Sequence, residues 1–88
     1  MRAVVTVVGA DKIGIVAGVT TTLSELQANI IEISQTLMSG AFTMMMIVET
    51  SDTADFANLK DTLQNKGKAL GVTIHVQNQA IFDAMHKL

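Results

Sequence analysis

No cysteine, proline, tryptophan or tyrosine occurs in these 88 residues, and phenylalanine occurs three times. The missing cysteine excludes disulfides, zinc–thiolate sites and thiol catalysis. The missing proline leaves glycine, asparagine and aspartate to make the turns. With 49% of residues hydrophobic and 3% aromatic, the core has to be aliphatic, built from Val, Ile, Leu and the six methionines. The formal net charge is -2 and no basic run is present, which argues against nucleic acid as a partner. No apolar stretch approaches the ~20 residues of a membrane-spanning helix. The opening "MRAVVTVVGAD" also lacks a basic region followed by a cleavable apolar segment. The expectation is a cytoplasmic protein with neither membrane nor nucleic acid among its partners.

This length suits one domain. About twenty buried aliphatic side chains, at roughly 1.5–3 kcal/mol each, offset the ordering entropy only narrowly. A dimer would widen that margin.

Residues 3–8, "AVVTVV", carry β-branched side chains on both alternating faces, as a strand buried on both sides does. From Ile15 the period becomes helical. Ile15, Val16, Val19, Leu23 and Leu26 form one stripe, and Thr20, Thr21, Ser24, Glu25 and Gln27 fill the other side. Asn29 is the residue expected in a turn or left-handed conformation at the helix end. "IIEISQTL" then alternates, with Ile31, Ile33 and Leu37 against Glu32, Ser34 and Thr36, which predicts a half-exposed strand. Ser39-Gly40 marks a hairpin turn. The returning "FTMMMIVET" is apolar on both faces and reads as a central strand.

A second amphipathic helix follows, with Phe56, Leu59, Leu63 and Leu70 as its buried stripe. Asp52 or Thr53 is its expected cap, Gly67 lies near its end and Gly71 is its expected stop. "VTIHVQN" alternates with Val72, Ile74 and Val76 inward, and "QAIFDAMHKL" predicts a short closing helix. Ile81, Met85 and Leu88 on that helix are expected to help cover the second face of the sheet. The order β-α-β-β-α-β predicts a ferredoxin-like α+β sandwich, a four-stranded antiparallel sheet with two helices on one face. Strands one and three are expected in the middle and strands two and four at the edges. The whole chain, 1–88, reads as one domain, with the core in 1–78 and a helical tail in 79–88.

The loop "GADKIGIVAGV" at residues 9–19 holds three glycines and one acid. Two readings of it stand side by side. In the first it is a strand-to-helix turn with Asp11 capping the helix. In the second, glycines at 9 and 14 remove β-carbons so that a ligand carboxylate can approach the free amides of the helix N-terminus. Asp11 or the Asn29 side chain would then meet the ligand's ammonium, and in a dimer part of that contact would come from the neighbour's strand two.

Residues 4–30, "VVTVVGADKIGIVAGVTTTLSELQANI", resemble the opening of an ACT domain, a small regulatory module that usually binds amino acids. The pattern Gly-x-Asp-basic-x-Gly, aliphatic residues opening a helix and an Asn-Ile start to strand two reads here as Gly9, Asp11, Lys12, Gly14, Ile15, Val16, Asn29 and Ile30. The resemblance covers residues 1 to about 78, and the tail resembles the extra helix of small stand-alone bacterial ACT proteins. Ile13 stands where many members have proline, so the turn lacks the φ that proline presets. The candidate ligand site is therefore Gly9, Asp11, Lys12, Ile13, Gly14 and Ile15, with Asn29, Ile30 and Ile31 from strand two. The resemblance implies a small-molecule amino acid as ligand and side-by-side pairing into a homodimer through the edge at Asn29 to Leu37. Output would pass through association with a regulated protein partner. The alternative is an interaction module that binds no ligand and uses the exposed sheet edge alone.

Other groups read as structural. Met44, Met45 and Met46 alternate faces on a strand, so they do not converge on one metal and serve packing. His75 and His86 have no third ligand at metal spacing. Glu49, Asp52, Asp55 and Asp61 read as a solvated helix start. No Ser or Thr has a His and an acid to activate it. Neither an enzyme, nor a metal site, nor a cofactor is expected.

Overall fold

The computed structural model describes residues 1–10, 14–51 and 53–85. Four strands and three helices alternate as β1 (Arg2–Ala10), α1 (Ile15–Glu25), β2 (Asn29–Met38), β3 (Ala41–Glu49), α2 (Phe56–Leu70), β4 (Thr73–Asn78) and α3 (Gln79–Met85). The strands form one antiparallel sheet in the order β2-β3-β1-β4, the ferredoxin-like arrangement that the hydropathy pattern predicts.

The central strands carry the core. Val5, Val7, Met44, Met46 and Val48 on one face meet Ile15, Val19 and Leu23 of α1 and Leu59 and Leu63 of α2. Ile74 and Val76 extend the same face onto β4. The opposite face of β1 and β3 holds Val4, Thr6, Val8, Met45 and Ile47, paired as Val4 with Ile47 and Thr6 with Met45. There α3 packs against β1 and β4. Val4 is buried although it lies outside the main core, while Val8 and Met45 remain exposed. The tail therefore covers part of the second face. Ile81 does little of that work, being 59% exposed; the Met85 side chain and Leu88 lie outside the described residues.

Several local expectations are corrected. Val16, placed on the buried stripe of α1 by periodicity, is exposed, and Thr22 is buried instead. Its hydroxyl donates to the Gly18 carbonyl at 3.0 Å, so the polar group enters the core satisfied. The left-handed residue after α1 is Gln27 (φ 59°), not Asn29, which already begins β2. The Gln27 and Ala28 amides donate to the Ser24 and Leu23 carbonyls at 3.0 and 2.9 Å, the Schellman pattern that ends a helix. The cap of α2 is Asp55, whose carboxylate accepts from the Ala57 and Asn58 amides at 2.9 and 3.3 Å. It takes the place expected for Thr53 or for Asp52, the latter lying outside the described residues. Gly71 ends α2 in the left-handed region as expected.

The hairpin between β2 and β3 turns at Ser39 and Gly40, both at positive φ (53° and 79°). That is the type I′ geometry that two-residue hairpins favour. At its other end β2 carries a bulge between Ile30 and Glu32. Ile31 is thereby left without a partner on β3, and the expected alternation of Ile31 with Ile33 and Leu37 breaks there. Ile33 and Leu37 pair with Met46 and Phe42 and so lie on the helix side, yet they are 46% and 61% exposed. Every residue from 29 to 37 is exposed. The strand is more open than the half-burial its pattern predicts, because the two helices lie over the other strands.

Candidate functional site

The loop after β1 leads into α1 through Gly14, the N-cap, at φ 92°. An L-residue rarely adopts that conformation. A β-carbon on Gly14 would meet no atom of the described residues within 4 Å, its chain neighbours aside. Among the described residues no side chain caps this helix, and no acid lies in its first turn. The expectation of Asp11 as N-cap is corrected to that extent, since residue 14 holds the capping position. Asp11, Lys12 and Ile13 themselves lie outside the described residues. Ile15, the first helical residue, is buried and belongs to the core rather than to an open surface.

Gly9 has a different reason to be glycine. A β-carbon there would lie 2.6 Å from Val72 Cγ1, so the room it leaves is filled by Val72 rather than kept for a ligand. Gly9 lets the end of β1 pass close to Val72, the residue just before β4.

Asn29, Ile30 and Ile31 lie at the far end of the sheet. Asn29 and Arg2 both pair with Glu49, whereas Gly9 and Leu37 both pair with Phe42. Seven residues of β1 separate the two levels, about 23 Å at strand rise. Helix α1, with Gly14 at one end and Gln27 just past the other, spans the same direction over about 16 Å. One chain thus does not bring Asn29 to Gly14. The expected contribution of Asn29 is thus left to a neighbour's strand two.

What surrounds Asn29 and Ile30 is a cleft of about 520 Å³ between α1 and the start of β2, lined also by Thr20, Leu23, Ser24, Gln27 and Ala28. Its size falls within the roughly 300–1,000 Å³ of small-molecule sites. Gln27 also borders a second cavity of about 250 Å³, formed with Thr50, Ser51, Asp55 and Asn58 among others. Periodicity places Thr20, Ser24 and Gln27 on the solvated face of α1. The signal that would have marked Gln27 is its place immediately after the last helical turn, where a left-handed residue is needed.

Among the described residues, no three His, Cys, Asp or Glu side chains lie together to hold a metal. No described helix is long and apolar enough to cross a membrane.

The ACT domain family matches residues 2–77. The chain belongs to that family. An ACT domain is a small regulatory module, and the relatives of this one are of the same size. It is 77% identical to the UPF0237 protein YjhC of Lactococcus lactis over the whole length of both chains. It is 54% identical to a UPF0237 protein of Listeria innocua, again over the whole of each. Among solved structures, an ACT domain protein from Streptococcus pneumoniae superposes with a TM-score of 0.86 at 46% identity, covering 94% of each chain. With those matches, the strand–glycine–helix opening, Gly14 included, is the start of an ACT domain.

Proposed function

We propose that this ACT domain is a cytoplasmic amino-acid sensor that works as a homodimer and signals to a protein partner by association. The observation that carries the reading is Gly14: a left-handed N-cap at the mouth of α1, where a side chain would meet none of the described residues beyond its chain neighbours. Backbone amides at a helix start, with the partial positive charge of the helix behind them, suit a carboxylate. An amide side chain such as Asn29 offers the acceptor that an ammonium needs.

Because Gly14 and Asn29 lie at opposite ends of α1, a ligand that touches both takes them from two chains. Strand β2 supports this. It is a sheet edge with no proline and one charged residue, Glu32, and such an edge is open to pairing. Antiparallel pairing of β2 with a second copy carries the partner's Asn29 toward the hairpin end of the first chain. That is the end at which β1 delivers the backbone to Gly14. The composite site would be formed by Gly14 and its loop from one chain and the Asn29 region from the other.

A thermal-shift screen against the twenty amino acids tests the reading. A ligand at about 100 times its Kd stabilises by roughly 2.7 kcal/mol, which for a domain of this size is a rise of about 10 °C or more. One amino acid, or a few of related shape, should produce it. No shift with any of them at millimolar concentration would contradict the sensor. The exposed β2 edge would then favour the second reading, a module that takes a partner's strand without a ligand.

A further inference from the structure

Of the three consecutive methionines on β3, solvent reaches the middle one alone. Met44 and Met46 belong to the core and are fully shielded, while Met45 is 40% exposed on the opposite face of the sheet. Helix α3 packs against β1 and β4 and leaves Met45 open.

The strand register sets a hydroxyl on each side of it. Met45 lies between Thr6 on β1 and Ser34 on β2, its directly opposed residue on each neighbouring strand. Opposed residues of an antiparallel pair share a face, with β-carbons ~4.5–5.5 Å apart. Among the described residues, neither hydroxyl has a hydrogen-bond partner. Methionine is unbranched and has three rotatable bonds, so its sulfur can swing toward either one. A cleft of about 120 Å³, lined by Glu32, Ser34, Met45 and Ile47 among others, lies alongside. A water takes up roughly 30 Å³, so a molecule of hydrogen peroxide fits.

We propose that Met45 is a site of two-electron oxidation by peroxides, and that Thr6 and Ser34 hold the resulting sulfoxide. A sulfur lone pair attacks one peroxide oxygen, and the O–O bond breaks. The proton on the transferred oxygen passes to the departing hydroxide, which leaves as water. Sulfur is oxidised to the sulfoxide and the peroxide is reduced. The thioether is only a weak acceptor, so the two hydroxyls turn to solvent while the side chain is reduced. The sulfoxide oxygen is a polar acceptor to which each hydroxyl can donate. Oxidation at Met44 or Met46 would instead place that oxygen in the aliphatic core, which is costly without a donor. At Met45 the change turns an apolar surface shared with Val8 into a polar one and leaves the core intact. Sulfoxide reductases return the group to the thioether, so the modification is reversible.

Dilute hydrogen peroxide is added to the folded chain, and each methionine is followed separately by fragmentation mass spectrometry. Met45 should oxidise at least about tenfold faster than Met44 or Met46, because shielded thioethers react only from rare opened states. Equal rates at the three positions would overturn the site. The hydroxyls are tested by melting the reduced and the Met45-oxidised forms of the chain and of the double variant Thr6→Val, Ser34→Ala. The fall in melting temperature on oxidation should be at least about twice as large in the variant, whose sulfoxide finds no hydroxyl. Equal falls would overturn the holding role of Thr6 and Ser34. Circular dichroism checks that the reduced variant folds; Ser34→Ala alone, at an exposed position, carries the same comparison if it does not.

Discussion

Gly9 and Val72 are packed so closely that a β-carbon on residue 9 would sit 2.6 Å from Val72 Cγ1. Valine is stiff at χ1, so the contact is not relieved by swinging a flexible chain end. Gly9→Ala is predicted to lower stability by about 1–3 kcal/mol, the usual cost of overpacking a core. Adding Val72→Ala removes the colliding methyl groups. In a double-mutant cycle by chemical denaturation, the pair should be less destabilised than the sum of the single variants. Strict additivity would show that Gly9 is glycine for another reason, such as ligand access.

Gln27 ends α1 in the left-handed region at φ 59°, where glycine is the usual occupant. An L-residue there costs roughly 1–2 kcal/mol relative to its preferred conformations. Gln27→Gly should therefore stabilise the fold by about 1 kcal/mol after glycine's own entropy cost is set against it, raising the melting temperature by about 4–8 °C. A lower melting temperature would mean that the glutamine side chain, which borders both clefts, makes contacts worth more than the strain.

The fold was legible because its determinants are local and periodic. The two-sided apolar runs of β1 and β3 mark central strands, and the alternation in "VTIHVQN" marks β4 as an edge. Ser39-Gly40 and Gly71 carry turn chemistry that few other residues supply. Caps and helix ends were less legible: Asp52, Thr53 and Asp55 all suit an N-cap, and only the position of the first helical turn selects Asp55. The bulge at Ile31 is invisible to a period-two pattern. The candidate site was read from residue chemistry alone, without geometry. Gly14 and Asn29 were identifiable as residue types, and the ACT resemblance holds across residues 2–77. Their separation follows from α1 running back along the sheet, which a linear motif does not display.

The proposed composite site makes a mixing experiment the most direct test. Asn29→Ala would remove the one or two hydrogen bonds proposed to a charged ligand, and Gly14→Ala puts an L-residue at φ 92°, a conformation it rarely adopts, which perturbs the mouth of α1. Each homodimer then has both sites damaged, and the Asn29→Ala dimer should bind about tenfold more weakly, the equivalent of ~1.4 kcal/mol. Unfolding the two variants together and refolding them yields mixed dimers. Each mixed dimer has one site with an intact Gly14 from one chain and an intact Asn29 from the other. Calorimetric titration with the amino acid found in the thermal screen should recover full affinity at about a quarter of the wild-type number of sites, since about half the dimers are mixed and half their sites are intact. Recovery of that fraction is what a ligand site shared between two copies of the chain requires. If the mixture binds no better than the separate variants, the site is not shared between two chains in this way.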